Sequence, residues 1–210
     1  MFNKEFLSSI DLIELILQGA DFQDYIGSPE VDTLTVRLPT EISNATSYVL
    51  TQVKEKDPEN VYSHADILRF ATKLGLMLFE EDEVFQKFNT LHELKMKAMK
   101  RANEKGDTRL IERINSIEEN YMIPSIEKFW LSNMSRRYIY KPFPRSHVLI
   151  GEWSMKTLLP SSEIARIAIT YGLSTVIIIP SIKRIRKVLE NYYKKYEDLI
   201  YPYLEPYIND

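Results

Sequence analysis

The chain has 210 residues, 44% hydrophobic and 27% charged, with a net charge of −3. That composition suits one large globular domain or two small ones and excludes a protein that holds nucleic acid through bulk positive charge; any such site has to be a local basic patch on an acidic body. With no cysteine, disulfides and thiolate chemistry are excluded, and a reducing, cytoplasmic setting is expected.

The opening stretch "MFNKEFLSSIDLIELILQGA" is apolar in places, but Asp11 and Glu14 interrupt it, and it has no cationic start or small-residue cleavage site. The most apolar later run, "STVIIIPS", is far too short to span a bilayer. A soluble protein without membrane association is therefore expected. Phe6, Ile10, Ile13 and Leu17 share one face of a predicted helix over 6–18, with Gly19 as its stop. The segment 20–32 is acidic and loop-like, with "GSPE" as a turn.

"VDTLTVRLPTEI" at 31–42 then alternates, with Thr33, Thr35 and Arg37 on one face and Leu34, Val36 and Leu38 on the other. That is the period of a strand, stopped by Pro39. Thr40 is positioned to cap a helix whose apolar side is Ile42, Ala45, Val49 and Val53, and "KEKDPEN" ends it. Ser63 and Asp66 form a capping box for a second helix, buried through Ile67 or Leu68, Ala71, Leu74 and Leu78. After "EEDE" at 80–83, expected as solvated surface, Phe85, Phe88, Leu91 and Met96 carry a helical stripe that Gly106 and Asp107 break. Leu110, Ile114, Ile117 and Tyr121 mark another helix before Pro124, and a short apolar helix holds Ile126, Phe129 and Trp130. "RRYIYKPFP" at 136–144 reads as extended, and helices follow near 145–157, 161–173 and 181–200.

"SHADILRFATKLGL" (63–76) aligns without gaps on "PSSEIARIAITYGL" (160–173), with Ile67 on Ile164, Arg69 on Arg166, Ala71 on Ala168, and Gly75-Leu76 on Gly172-Leu173. Asp66 and Glu163 keep an acidic first turn, which the helix dipole favours. Each segment follows a helix, and before that an extended stretch ending in proline, so strand–helix–helix occurs twice.

The stretch "TLTVRLPTEISNATSYVLTQV…YSHADILRFATKLGL" resembles the ribbon-helix-helix family, the Arc and MetJ type of DNA-binding domain. The resemblance covers residues 32–79, with a weaker second copy, and departs from the family in the long, glycine-free connection "KEKDPENVY". It implies a mainly helical fold in which a short β-ribbon is embedded in a larger helical body. The expected organisation is 1–30 as helix and acidic loop, 31–80 as copy one and 81–135 as a helical insert. Copy two, degenerate, spans 136–178, and a C-terminal helix spans 179–210.

The resemblance also implies function. Two strands would pair antiparallel and enter the major groove of double-stranded DNA, either across a homodimer or within one chain as a pseudo-dimer. Thr33, Thr35 and Arg37 would read bases. Ser63 and His64, with Ser161 and Ser162 in copy two, would hold phosphate at helix N-termini, and Arg137 and Lys141 would add phosphate contacts. Aligned on Pro144, copy two turns Tyr138, Tyr140 and Pro142 outward; shifted by one residue, it turns out Arg137, Ile139 and Lys141, and a one-residue slip exchanges the faces.

Enzymatic signatures are lacking: six scattered glycines form no phosphate-cradling loop, and His64, His92 and His147 have no metal-ligand spacing. No catalytic residue, metal or cofactor is therefore expected. Asp57 and Glu59 beside Lys54 and Lys56 suggest a nuclease cluster only weakly, since they fall in a connecting loop. "KRIRK" and the C-terminal tyrosines are read as a solvated helix face and as packing surface. The alternatives are a helical interaction module without DNA binding, and a partition or antitoxin protein whose helical body binds a protein partner.

Overall fold

A computed structural model describes residues 11–19 and 32–208. Its elements are α1 (Leu12–Gln18), β1 (Leu34–Pro39), α2 (Thr40–Lys56), α3 (His64–Phe79), α4 (Glu83–Glu104), α5 (Thr108–Asn120), a 3₁₀ turn (Ile126–Lys128), β2 (Met134–Tyr140), α6 (Pro144–Thr157), α7 (Ser161–Leu173) and α8 (Ser181–Ile208). Phe6, Ile10 and the turn at "GSPE" lie outside the described residues. Among the described residues no helix is long and apolar enough to cross a membrane.

The lone strand finds its partner in the same chain. β1 runs antiparallel to β2, with Thr35 opposite Ile139 and Arg37 opposite Arg137. Val36, Leu38 and Tyr140 are buried beneath the sheet, while Thr35, Arg37, Arg137 and Ile139 are exposed on its outer side. The second strand therefore takes the shifted register. The reason lies in its proline: Pro39 is the N-cap of α2, whereas Phe143 caps α6 and Pro144 is already its first helical residue. Aligning one proline on the other displaces the strand by one position. Thr40 is likewise inside α2 instead of capping it, and its hydroxyl donates to the Asn133 carbonyl.

Beneath the ribbon, α3 and α7 cross at backbone contact. A methyl group added at Gly75 would lie 2.8 Å from Ala168 Cα, with the carbonyl nearer still, and one added at Gly172 would lie 2.8 Å from Ala71 Cα. Gly75 and Gly172 occupy matching places in the sequence repeat, as do Ala71 and Ala168, so each half makes the same contact on the other. That reciprocity is the mark of a two-fold contact. The aligned arginines repeat it: Arg69 Nε donates to the Lys141 carbonyl at 2.9 Å, and Arg166 Nε donates to the Arg37 carbonyl at 2.7 Å. Each arginine also pairs with the acid one turn before it, Asp66 or Glu163. Burial pushes the Glu163 carboxyl up, against the pull of Arg166.

α4, α5 and the C-terminal half of α8 form an arm with its own core of Leu91, Ala98, Ala102, Leu110 and Ile114 against Tyr196, Ile200 and Leu204. Met96 is half exposed, and Lys95 takes the inward place instead, because 88, 91, 95, 98 and 102 follow the helical spacing. Lys95 Nζ reaches Glu118 at 2.7 Å, which is what makes a buried ammonium tolerable. α8 runs on to Ile208 through Pro202 and Pro206. Both prolines are exposed, one turn apart, so the backbone bonds they forfeit face water while Leu204 stays buried.

Within "EEDE", Asp82 departs from the solvated surface expected of it. It caps α4 through Val84 N at 2.9 Å, accepts from the Tyr171 hydroxyl at 3.1 Å and pairs with Arg186 at 3.1 Å. This single carboxylate ties the arm and α8 to the repeated core. Asp82→Ala removes a cap and strands the Tyr171 hydroxyl, so unfolding free energy in a urea titration should fall by about 2 kcal/mol.

Candidate nucleic-acid interface

The outer face of the ribbon is built by strand alternation. Burying Val36 and Leu38 on the helices, with Leu34 half-buried beside them, turns Thr33, Thr35 and Arg37 outward, and burying Tyr140 does the same for Ile139 and Arg137. Lys141, just past β2, is exposed and held by the Arg69 contact to its carbonyl. Arg37 and Arg137 sit directly across the ladder, and neither has an ion-pair partner among the described residues. Like charges directly opposite destabilise a sheet by roughly 0.2–1 kcal/mol. A polyanion lying on this face would reverse the sign of that term.

The ribbon's flank holds the start of α3. Ser63 is fully engaged there: its amide donates to Asp66 at 2.9 Å, and its hydroxyl donates to the same carboxylate at 2.6 Å. The amides of His64 and Ala65 have no intrahelical acceptor, as in the first turn of any helix. His64 Nε2 meets Ser47 Oγ at 3.2 Å, and its ring lies 5.9 Å from that of Tyr138, whose hydroxyl meets Ser43 at 3.0 Å. Burial, and then the positive charges of Arg136 and Lys54, hold His64 below the ordinary histidine value. Arg136 belongs to "SRR" at 135–137, which the sequence offers as a candidate phosphate contact beside the second strand, with solvated surface as the alternative. At the matching start of α7, Pro160 is the N-cap, Ser161 is exposed and Ser162 is half-buried.

The remaining candidates have structural partners. Arg184 donates to the carbonyls of Lys128 and Glu127, and Arg186 pairs with Asp82, so half of "KRIRK" is engaged within the fold. Tyr192 and Tyr196 are buried in the α8 packing surface. Asp57 accepts from Tyr62 at 2.6 Å and Asn60 at 2.9 Å, which ties the α2–α3 connection together and lowers its carboxyl. Among the described residues no three His, Asp or Glu side chains are grouped to hold a metal ion. His92 sits in the arm with Nδ1 buried and without a hydrogen-bond partner among the described residues, and burial and Lys95 lower it.

The chain was compared with protein-family models, curated proteins and solved structures, and none matches it.

Proposed function

We propose that this chain is a sequence-selective double-stranded DNA-binding protein of the ribbon-helix-helix kind, acting as a transcriptional regulator, with β1 and β2 laid into the major groove. The observation that carries the reading is the outer face of the ribbon, where threonines and arginines stand exposed on a two-stranded sheet. The major groove admits such a ribbon and shows a distinct donor and acceptor pattern for each base pair. Arg37 and the two threonines supply the base contacts from the β1 side. The first-turn amides of α3 and α7, with Arg136 and Lys141 beside the ribbon, hold the phosphates. The helical arm is where a protein partner would dock.

The test is binding of the full chain to labelled duplexes from a random-sequence pool across a salt series. Binding that falls linearly on a log–log salt plot, with one sequence class enriched at moderate salt, supports the reading. Absence of binding even at low salt rejects it and moves attention to the arm.

His64 adds a pH dependence with a definite sign. Its lowered value favours the neutral ring in the free protein, so without DNA its contribution to stability is present above the ordinary histidine value and lost as pH falls through the folded one. A phosphate beside it raises that value, so binding takes up a proton. DNA affinity should therefore increase as pH falls from about 7.5 to about 6, and the increase should vanish in His64→Gln. An unchanged slope in that variant removes His64 from the interface.

A further inference from the structure

The scaffold of the two halves is symmetric, but the face they present is not. Arg69 and Arg166 are matched in the repeat and hold the Lys141 and Arg37 carbonyls, so Arg37 in β1 corresponds to Lys141 after β2. The N-caps agree, Pro39 corresponding to Phe143. Stepping back along each strand, Thr35 corresponds to Ile139 and Thr33 to Arg137. Thr35 and Ile139 are also directly paired, so the pseudo-two-fold axis passes between them.

On either side of that axis the outward trios are Thr33, Thr35, Arg37 and Arg137, Ile139, Lys141. No position carries the same residue twice. At the centre a hydroxyl faces an apolar side chain that is 58% exposed. Arg137 has a planar fork able to take guanine bidentately where its counterpart Thr33 has one short hydroxyl. Lys141 is a point charge where its counterpart Arg37 is a fork. The flanks differ too, with His64 and Arg136 at the start of α3 and Ser161 at the start of α7.

Operator palindromy mirrors protein two-fold symmetry. We infer that this chain selects a non-palindromic duplex site and binds it in one orientation, with one ribbon per chain. The inference rests on the DNA-binding reading and specifies the substrate class of the same face. The buried contacts keep the two-fold because both halves must meet across it. The outer trios have no such constraint, since one chain encodes them separately.

The experiment is selection of the full chain on a random duplex library, followed by competition between the selected site and two palindromes, each built by doubling one of its halves. The selected site should win over both by about tenfold or more, the equivalent of ~1.4 kcal/mol. A triple variant, Arg137→Thr, Ile139→Thr and Lys141→Arg, gives both strands the β1 trio, and its preference should move to the palindrome of the half read by β1. A wild-type chain that selects a palindrome, or binds a doubled half as tightly as the natural order, overturns the asymmetry while leaving DNA binding intact. A chain that binds no duplex overturns both readings together.

Discussion

Gly75→Ala and Gly172→Ala should each destabilise the protein by more than ~3 kcal/mol, and by similar amounts. At both sites the added methyl meets backbone of the opposing helix and not the end of a flexible side chain. No rotamer change relieves such a clash, so α3 and α7 must separate along their crossing. That displacement disturbs Arg69 and Arg166, which hold the strand carbonyls, and so loosens the ribbon as well. Thermal and urea denaturation of the two variants, followed by circular dichroism, checks the magnitude. Gly151→Ala is the control: a methyl there meets nothing within 4 Å. It lies inside α6, so replacing glycine should stabilise by about 0.5–1 kcal/mol. If Gly75→Ala and Gly151→Ala behaved alike, the close crossing of α3 and α7 would be wrong.

Arg37→Ala and Arg137→Ala should both weaken DNA binding without lowering stability, since the two arginines face each other with no ion-pair partner among the described residues. Loss of the Arg37 fork should cost about 1–3 kcal/mol at the preferred site, roughly 5- to 150-fold, and relax selectivity at one base position. Each variant should also reduce the slope of the salt plot by about one unit. Fluorescence anisotropy on the selected duplex and on a scrambled one separates the two effects. Equal loss on both duplexes would make Arg37 a phosphate contact and not a reader. The fold itself should gain a few tenths of a kcal/mol from removing one of two facing charges, so a drop in unfolding midpoint would contradict the exposure of this face.

Much of the repeated core was legible because its rules are local. Alternation over 34–38 specified which side of β1 is buried, the Ser63–Asp66 box specified the start of α3, and the match of 63–76 to 160–173 placed Gly75 and Gly172 on equivalent turns. The places that were not legible depend on distant partners. The register of β2 turns on whether its proline precedes or begins the helix, a one-residue choice decided by packing under the ribbon. Lys95 points inward only because Glu118, on another helix, is there to receive it. Asp82 reads as surface until Tyr171 and Arg186 arrive from elsewhere in the chain. α8 continues past two prolines because their exposed face leaves Leu204 free to pack. Of the candidate site, the three outward residues of β1 could be read directly, whereas Arg136 acquires its position beside His64 only once the second strand is laid down.

The pairing of β1 with β2 inside one chain has a consequence for dosage. A ribbon made from two separate subunits must be assembled by mass action and disappears when the subunits are scarce. Here the two strands are tethered by continuous backbone, so they meet at an effective concentration set by the connecting helices and not by the number of molecules in the cell. Halving the supply of chain halves the number of complete ribbons and no more, whereas an obligate pair of subunits near its dissociation constant would lose ribbons faster than it lost chains. The number of complete ribbons is therefore proportional to the number of folded chains, with no concentration threshold for forming the face.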